Sequence, residues 1–196
     1  MKRQIQTRSP TCEKQKDVIY LFPKSNRSIQ SRTSIGHEMK LYHLLKPEFI
    51  KLNIEAHDRM QVIGELVDLL GKSGAISNAD QVKELVTKRE LEVGTGIGNG
   101  VAIPHSDPGP FPKPLAAFVS LGEGVDFGAP DNQPVRLAFL ILTPAKAATL
   151  HVRMLARLCR ILKSEDIRNQ LLTATTPHTA ADILAQAESG FPEITP

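Results

Sequence analysis

The sequence predicts an α/β layered domain in which helices surround a small set of strands. Three observations carry this prediction. Apolar residues recur at helical spacing in several segments, β-compatible runs lie between those segments, and residues 135–142 are almost wholly apolar. A strand of that composition is typical of a sheet covered on both faces. Helical segments precede and follow the strands along the chain, so we expect helical layers against one sheet.

Length and charge limit the number of domains and the kinds of partner. The chain has 196 residues, 41% of them apolar and 23% charged, with a net charge of +3. This length fits one domain with an extension, or at most two small domains. Residues 1–40 hold nine Lys and Arg against three Asp and Glu, whereas residues 41–196 hold fifteen against eighteen. The basic charge therefore belongs to the first forty residues, and the body has no electrostatic footprint for nucleic acid.

The first forty residues are rich in Lys, Arg, Ser, Thr and Gln and show no sustained periodicity. We expect a disordered extension there, with binding of nucleic acid or a partner as the open alternative. No apolar run approaches the ~20 residues of a membrane span, so we expect no direct membrane insertion. Cys12 and Cys159 have no metal-type spacing. We interpret both as free thiols of a cytoplasmic protein.

A glycine-rich segment occupies residues 94–100. Before it we expect a short strand and two helices, at residues 50–54, 58–70 and 77–91. Asp58 is suited to cap the first helix, and Ser77 with Asp80 resembles a capping box for the second. After that segment we expect a short strand at 101–103, a proline-rich surface loop at 107–114 and strands at 115–121 and 135–142.

Three helices are predicted in the last third of the chain, at residues 147–163, 164–172 and 179–187. The first has one apolar stripe, with Arg153, Arg157 and Arg160 on its outer side. Thr179 with Asp182 resembles the cap of the last helix. The folded unit is therefore expected at residues 41–187, between the basic extension 1–40 and a C-terminal tail 188–196.

A segment from Arg89 to His105 reads RELEVGTGIGNGVAIPH and has four glycines in seven positions. Such a backbone can approach another group closely and present its amides to an anion. The segment does not match the dinucleotide fingerprint, because Asn99 stands where the third glycine is required. On the sequence alone it is either a structural turn or an anion site.

Two histidines and one arginine are candidates for chemistry. His105 follows an apolar strand and a rigid proline, so its position is fixed, and neutral imidazole is a nucleophile near pH 7. His151 lies in the first turn of its helix and faces inward with the apolar stripe. Arg89, at a helix end, could reach an oxyanion. The structural alternatives are two core histidines and a solvated helix-end arginine.

The segment ending in Ala-Ile-Pro-His resembles the signature of the fructose/mannitol-type enzyme IIA family of the bacterial phosphoenolpyruvate:sugar phosphotransferase system, which includes the nitrogen-regulatory IIA proteins. The resemblance covers residues 41–187. It implies a small mixed β-sheet flanked by helices. It also implies that His105 accepts a phosphoryl group, that His151 and Arg89 assist, and that backbone amides hold the phosphate oxygens at Gly96, Gly98, Asn99 and Gly100.

The resemblance further implies a phosphocarrier with phosphohistidine phosphotransferase activity, rather than a conventional turnover enzyme. The donor would be the histidine phosphocarrier protein, and the acceptor a IIB-type protein or a regulatory target. No metal or other cofactor is implied. One alternative is a regulatory module whose protein contacts depend on phosphorylation, and another is a metal hydrolase using His105, His151 and Asp107. Sequence alone names neither the sugar nor the oligomeric state.

Asp107 places a carboxylate two residues after the presumed phosphate acceptor. If it pointed inward it would repel the phosphate and raise the pKa of His105. Pro108 and Gly109 favour a turn in which Asp107 faces outward.

Overall fold

A computed structural model describes residues 39–194, and the prediction of a disordered extension at 1–40 lies almost wholly outside them. Within the described residues, a five-stranded mixed sheet is flanked by α-helices. The strands are β1 (Ile50–Ile54), β2 (Gly96–Gly98), β3 (Val101–Ala102), β4 (Leu115–Val125) and β5 (Val135–Leu142). The helices are α1 (Arg59–Lys72), α2 (Ala79–Glu92), α3 (Ala148–Leu162), α4 (Glu165–Thr173) and α5 (Pro177–Glu188). Short 3₁₀ turns at Leu41–His43 and Pro47–Phe49 precede β1.

The strand order is β1-β4-β5-β3-β2, with β4 and β5 antiparallel at the centre. β1 runs parallel to β4, β3 runs parallel to β5, and β2 closes an antiparallel hairpin with β3. The predicted α/β class, with a small mixed sheet flanked by helices, is confirmed.

Alternate residues of the central strands face two separate cores. From β5, Leu140 and Leu142 pack with α1 and α2, whereas Phe139 and Ile141 pack with α3 and α5. Phe139 also stacks on Phe118 of β4, with ring centroids 4.3 Å apart. Period-two alternation with both faces covered explains why β5 is apolar at almost every position.

Helix caps differ from the sequence prediction at two of three places. The Asp58 carboxylate accepts from the amides of Met60 and Gln61, as predicted. For α2 the cap is Asn78 rather than Ser77, and for α5 it is Thr176, three residues before the predicted Thr179. Thr176 precedes a proline, whose fixed backbone suits the first helical position. The capping-box pattern was therefore misleading at both sites.

Residues 188–194, which were predicted as a tail, pack against residues 39–42. The buried Glu188 carboxylate accepts from the amides of Leu41 and Tyr42 at 3.0 and 2.9 Å. It also pairs with Arg157 at 2.8 Å. Arg157 was predicted on the outer side of its helix, but its side chain is only 10% exposed. Ile194 pairs with Met39 as an antiparallel bridge. None of the described helices combines the length and apolar character that a membrane span needs.

Candidate functional site

His105 lies at the end of an extended segment that continues β3. The parallel pairing of β3 with β5 persists past the end of β3, so that His105 pairs with Ile141. The Ile141 amide donates to the carbonyl of Pro104 at 3.1 Å. His105 is therefore held by the backbone of the central sheet.

One ring nitrogen of His105 is hydrogen-bonded to the backbone of the same extended segment. Nδ1 lies 2.8 Å from the carbonyl oxygen of Ile103. A carbonyl can only accept, so Nδ1 carries the proton and donates it. The lone pair of the neutral ring is consequently on Nε2. The ring is half-buried, and the strand presents a nitrogen that can attack an electrophile.

His151 lies beside His105, on the first turn of α3. The two ring centroids are 5.4 Å apart and the rings are tilted by 52°. His151 is 7% exposed, which confirms its predicted inward orientation. Its Nδ1 lies 2.9 Å from the hydroxyl of Thr143, the residue that follows β5. The structure thus joins two histidines that are far apart in the sequence.

Both rings are held in their neutral form. Burial lowers the pKa of His105, the hydrogen bond to Ile103 opposes that shift, and the charge of Arg89 adds to it. Burial also lowers the pKa of His151, as do the neighbouring His105 and Arg89. Two cations so close together in a low-dielectric site would repel each other. Both rings therefore remain neutral at physiological pH.

Arg89 lies in the last turn of α2, where it was predicted. Its Nη1 donates to the carbonyl of Val93 at 3.3 Å, and the side chain is half-buried. Its charge acts on both histidines. Arg89, His105 and His151 therefore form one cluster with a single guanidinium charge.

Glu90, next to Arg89, ties α2 to the strand that carries His105. Its buried carboxylate accepts from the amide and the hydroxyl of Thr95. The carbonyl of Thr95 accepts in turn from the amide of Ile103 at 3.0 Å. Burial raises the pKa of Glu90, against the hydrogen bonds of Thr95 and the charge of Arg59. The sequence interpretation gave Glu90 no role.

A signal for Glu90 was present in the helical spacing. Val82, Val86 and Glu90 follow one another at intervals of four residues, and all three are buried. A carboxylate that continues an apolar stripe is a buried polar group and needs partners. The four-residue spacing would therefore have identified Glu90 as a buried carboxylate with hydrogen-bond partners.

The glycine-rich turn lies at the other end of β3 and has partners of its own. The backbone amide of Asn99 donates to a carboxylate oxygen of Asp131 at 2.7 Å. Gly98 and Gly100 both have positive φ, and a Cβ on Gly98 would come within 3.1 Å of that carboxylate. From Gly100 to His105 the chain is extended over five residues, or about 16 Å.

The residues of the glycine segment that were predicted to contact phosphate make other contacts in the structure. Gly98, Asn99 and Gly100 form the turn that holds Asp131, and Gly96 pairs with Ala102, three residues before His105. A contact between these amides and a phosphoryl group on His105 stays a prediction. The structure brings Arg89, His105 and His151 together, but not these four residues.

Asp107 is exposed, in agreement with the outward turn predicted for it. Its charge is still close enough to raise the pKa of both histidines against the larger effect of burial. Among the described residues, no three His, Cys, Asp or Glu side chains converge as metal ligands.

Residues 43–187 match a family model described as "Phosphoenolpyruvate-dependent sugar phosphotransferase system, EIIA 2". The chain belongs to this family. The resemblance carried by the Arg89–His105 segment is thereby confirmed.

Two curated relatives show how the EIIA chain compares in length. It is 39% identical over 148 residues to the PTS system fructose-specific EIIABC component of Bacillus subtilis, covering 76% of this chain but 23% of that protein. It is 37% identical over 139 residues to the PTS system fructose-specific EIIA component of Haloferax volcanii, covering 71% of this chain and 90% of the relative.

Two solved structures share the fold. The nitrogen regulatory protein IIA-Ntr from Neisseria meningitidis is 31% identical with a TM-score of 0.68, over 74% of this chain and 98% of that one. A complex of enzyme IIAMTL and phosphorylated enzyme IIBMTL from Escherichia coli gives a TM-score of 0.62 at 22% identity, over 71% and 95%. Sugar-specific and nitrogen-regulatory proteins are thus both among the similar proteins.

Proposed function

We propose that this EIIA chain is a phosphocarrier in which Nε2 of His105 accepts a phosphoryl group and later passes it on. The observation that carries the proposal is the hydrogen bond from Nδ1 of His105 to the Ile103 carbonyl at 2.8 Å. It leaves the Nε2 lone pair available on a ring whose position the sheet fixes. Membership of the EIIA family gives the phosphoryl group as the electrophile.

The transfer is an in-line displacement at phosphorus. The lone pair of His105 Nε2 forms the new bond, while the bond from phosphorus to the donor's ring nitrogen breaks and its electron pair returns to that nitrogen. The His105 ring then carries a positive charge, and the Nδ1–H bond to the Ile103 carbonyl stabilises it. Because phosphoryl transfer needs little covalent help, position and charge supply most of the catalysis.

Arg89 and His151 stabilise the phosphoryl oxygens in this scheme. The guanidinium of Arg89 compensates their negative charge, since it is the cation whose field reaches both rings. His151, beside His105 and neutral, donates a hydrogen bond without adding a second cation. The donor is the histidine phosphocarrier protein and the acceptor is a IIB-type protein, as in the Escherichia coli IIA complex with phosphorylated IIB.

A regulatory function is the second candidate. The nitrogen regulatory IIA-Ntr structure is matched over 98% of its own length. In that case the charge on His105 changes a protein contact, and no sugar is phosphorylated.

The test is to incubate the chain with phosphoenolpyruvate, enzyme I and the phosphocarrier protein, and to measure acid-labile phosphate. We expect one phosphate on His105 and none on His105→Ala, while exposed His178→Ala is labelled like the wild type. Equal labelling of His105→Ala would contradict the proposal. Onward transfer to a IIB protein supports the carrier function, whereas a phosphorylation-dependent partner without such transfer supports regulation.

A further inference from the structure

Thr143 contacts the candidate site through a single side-chain hydrogen bond. The residue is fully buried, and its hydroxyl lies 2.9 Å from Nδ1 of His151. Its backbone is also fixed, because its carbonyl accepts from the amide of Gly109 at 2.9 Å. The hydroxyl is therefore held at a defined point behind the second histidine.

The direction of this hydrogen bond follows from what the hydroxyl can reach. Among residues 39–194, Nδ1 of His151 is the hydrogen-bond partner of the Thr143 hydroxyl. A hydroxyl can donate or accept, but a buried hydroxyl proton without an acceptor is costly. Thr143 accordingly donates to Nδ1. Nδ1 of His151 is then unprotonated, and in the neutral ring the proton is on Nε2.

We propose that Thr143 is a positioning residue that holds His151 as the Nε2–H tautomer, so that His151 donates a hydrogen bond to the phosphoryl group on His105. This inference rests on the proposed phosphocarrier function. His105 and His151 are then opposite tautomers, because one is held by a carbonyl that can only accept and the other by a hydroxyl that donates. In the reverse tautomer, a lone pair of His151 would face the negative phosphoryl oxygens and repel them.

The pKa directions support this arrangement without carrying it. Burial, the repulsion that a protonated His105 would exert and the charge of Arg89 lower the pKa of His151 and keep it neutral, and the charge of Asp107 opposes them. A neutral ring carries a proton on only one of its two nitrogens, so the tautomer decides whether Nε2 of His151 can donate a hydrogen bond. A doubly protonated ring would donate from both nitrogens whatever Thr143 did.

The experiment compares the full chain with Thr143→Val and Thr143→Ser. Valine has the shape of threonine without the hydroxyl, and serine keeps the hydroxyl. The protonation of each ring nitrogen is read from two-bond ¹H–¹⁵N correlations, without any phosphodonor. The rate of phosphate labelling of His105 is then measured with phosphoenolpyruvate, enzyme I and the phosphocarrier protein.

We expect the proton of His151 on Nε2 in the wild type and in Thr143→Ser, and a mixture of tautomers in Thr143→Val. Labelling of Thr143→Val should be about tenfold slower, the low end of what losing a partner that orients a functional histidine costs. Labelling of Thr143→Ser should equal that of the wild type.

Two results overturn the inference. One is a wild-type His151 with its proton on Nδ1, which decides the question even if Thr143→Val does not fold. The other is a folded Thr143→Val with unchanged tautomer and labelling rate. If His105 is never labelled, the proposed function fails, but the tautomer measurement still tests the role of Thr143 by itself.

Discussion

The segments at the two ends of β3 make different contacts, although both belong to the continuous motif from Arg89 to His105. At the turn end, Asn99 donates its amide to Asp131, and Gly100 accepts from the amides of Arg136 and Leu137. At the other end, Nδ1 of the His105 ring bonds the Ile103 carbonyl, and Nε2 has no hydrogen-bond partner among residues 39–194. The turn end is thus bound to the scaffold through its backbone, whereas the histidine end presents a nitrogen that can act as a nucleophile.

This difference indicates what the glycines are for. They allow the tight hairpin and the close approach of Asp131, which a Cβ on Gly98 would hinder. The parallel pairing of β3 with β5, continued to His105 and Ile141, places His105 next to His151. We therefore expect substitutions at the histidine end to change phosphoryl transfer, and those at the turn end to change stability.

The largest effect is expected at the histidine end, from His151→Ala. Removing a hydrogen-bond donor aimed at developing charge typically slows a reaction by about 10²–10³. We expect phosphate labelling of His105 to slow by about a hundredfold or more, with the fold retained. Single-turnover labelling with the phosphorylated carrier protein measures this rate.

The matched control for that variant is His178→Ala, the same substitution at an exposed position on α5. It should be labelled at the wild-type rate. If His151→Ala were also labelled at that rate, the second histidine would be a core residue, and the histidine end would consist of His105 and Arg89 alone.

A smaller effect is expected in the titration of the two histidines. Both pKa values are lowered, so by NMR both rings should titrate below the ordinary histidine value of about 6.5. Arg89→Met removes a cation and should raise the midpoint of His105. Asp107→Asn removes an anion and should lower it. Shifts of the same sign in the two variants would contradict the electrostatic assignment.

The sign of the linked effect on stability follows from these shifts. As the pH falls below about 6.5, the unfolded chain binds protons that the buried rings of the folded chain do not. The free energy of unfolding should therefore decrease as the pH falls through that range. Above it, the two rings contribute no pH dependence. Chemical denaturation at a series of pH values measures this, and the slope should diminish in His151→Ala.

Sequence patterns predicted the scaffold well where burial of apolar side chains alone determined the element. The bounds of β1 and β5 were correct because β1 alternates apolar and polar residues, IKLNI, and β5 is apolar at all but one position. The caps at Asn78 and Thr176 were missed because several polar residues compete near each helix start, and the final choice depends on packing. The fold class and the inward face of α3 needed only periodicity.

The site was predicted less evenly, for a physical reason. His105 stood out through its local sequence, and His151 and Arg89 gained roles from the family resemblance. Thr143 and Asp131 make contacts across the fold, with His151 and Asn99 respectively. No local pattern encodes such contacts. The phosphate contacts expected at the glycines stay a prediction, because the turn and His105 lie at opposite ends of an extended segment.

The smallest effect on transfer is expected at the turn end, from Asp131→Ala. The Asp131 carboxylate accepts from the amides of Asn99 and Gln133 at 2.7 and 3.1 Å, and these bonds lower its pKa. The variant should lower the midpoint of thermal unfolding, with Asp131→Asn intermediate because it keeps an acceptor oxygen. Since distant sites act independently, labelling of His105 should stay within about twofold of the wild type. A large loss of labelling in folded Asp131→Ala would mean that the turn takes part in phosphoryl transfer, and the separation of the two ends of β3 would be wrong.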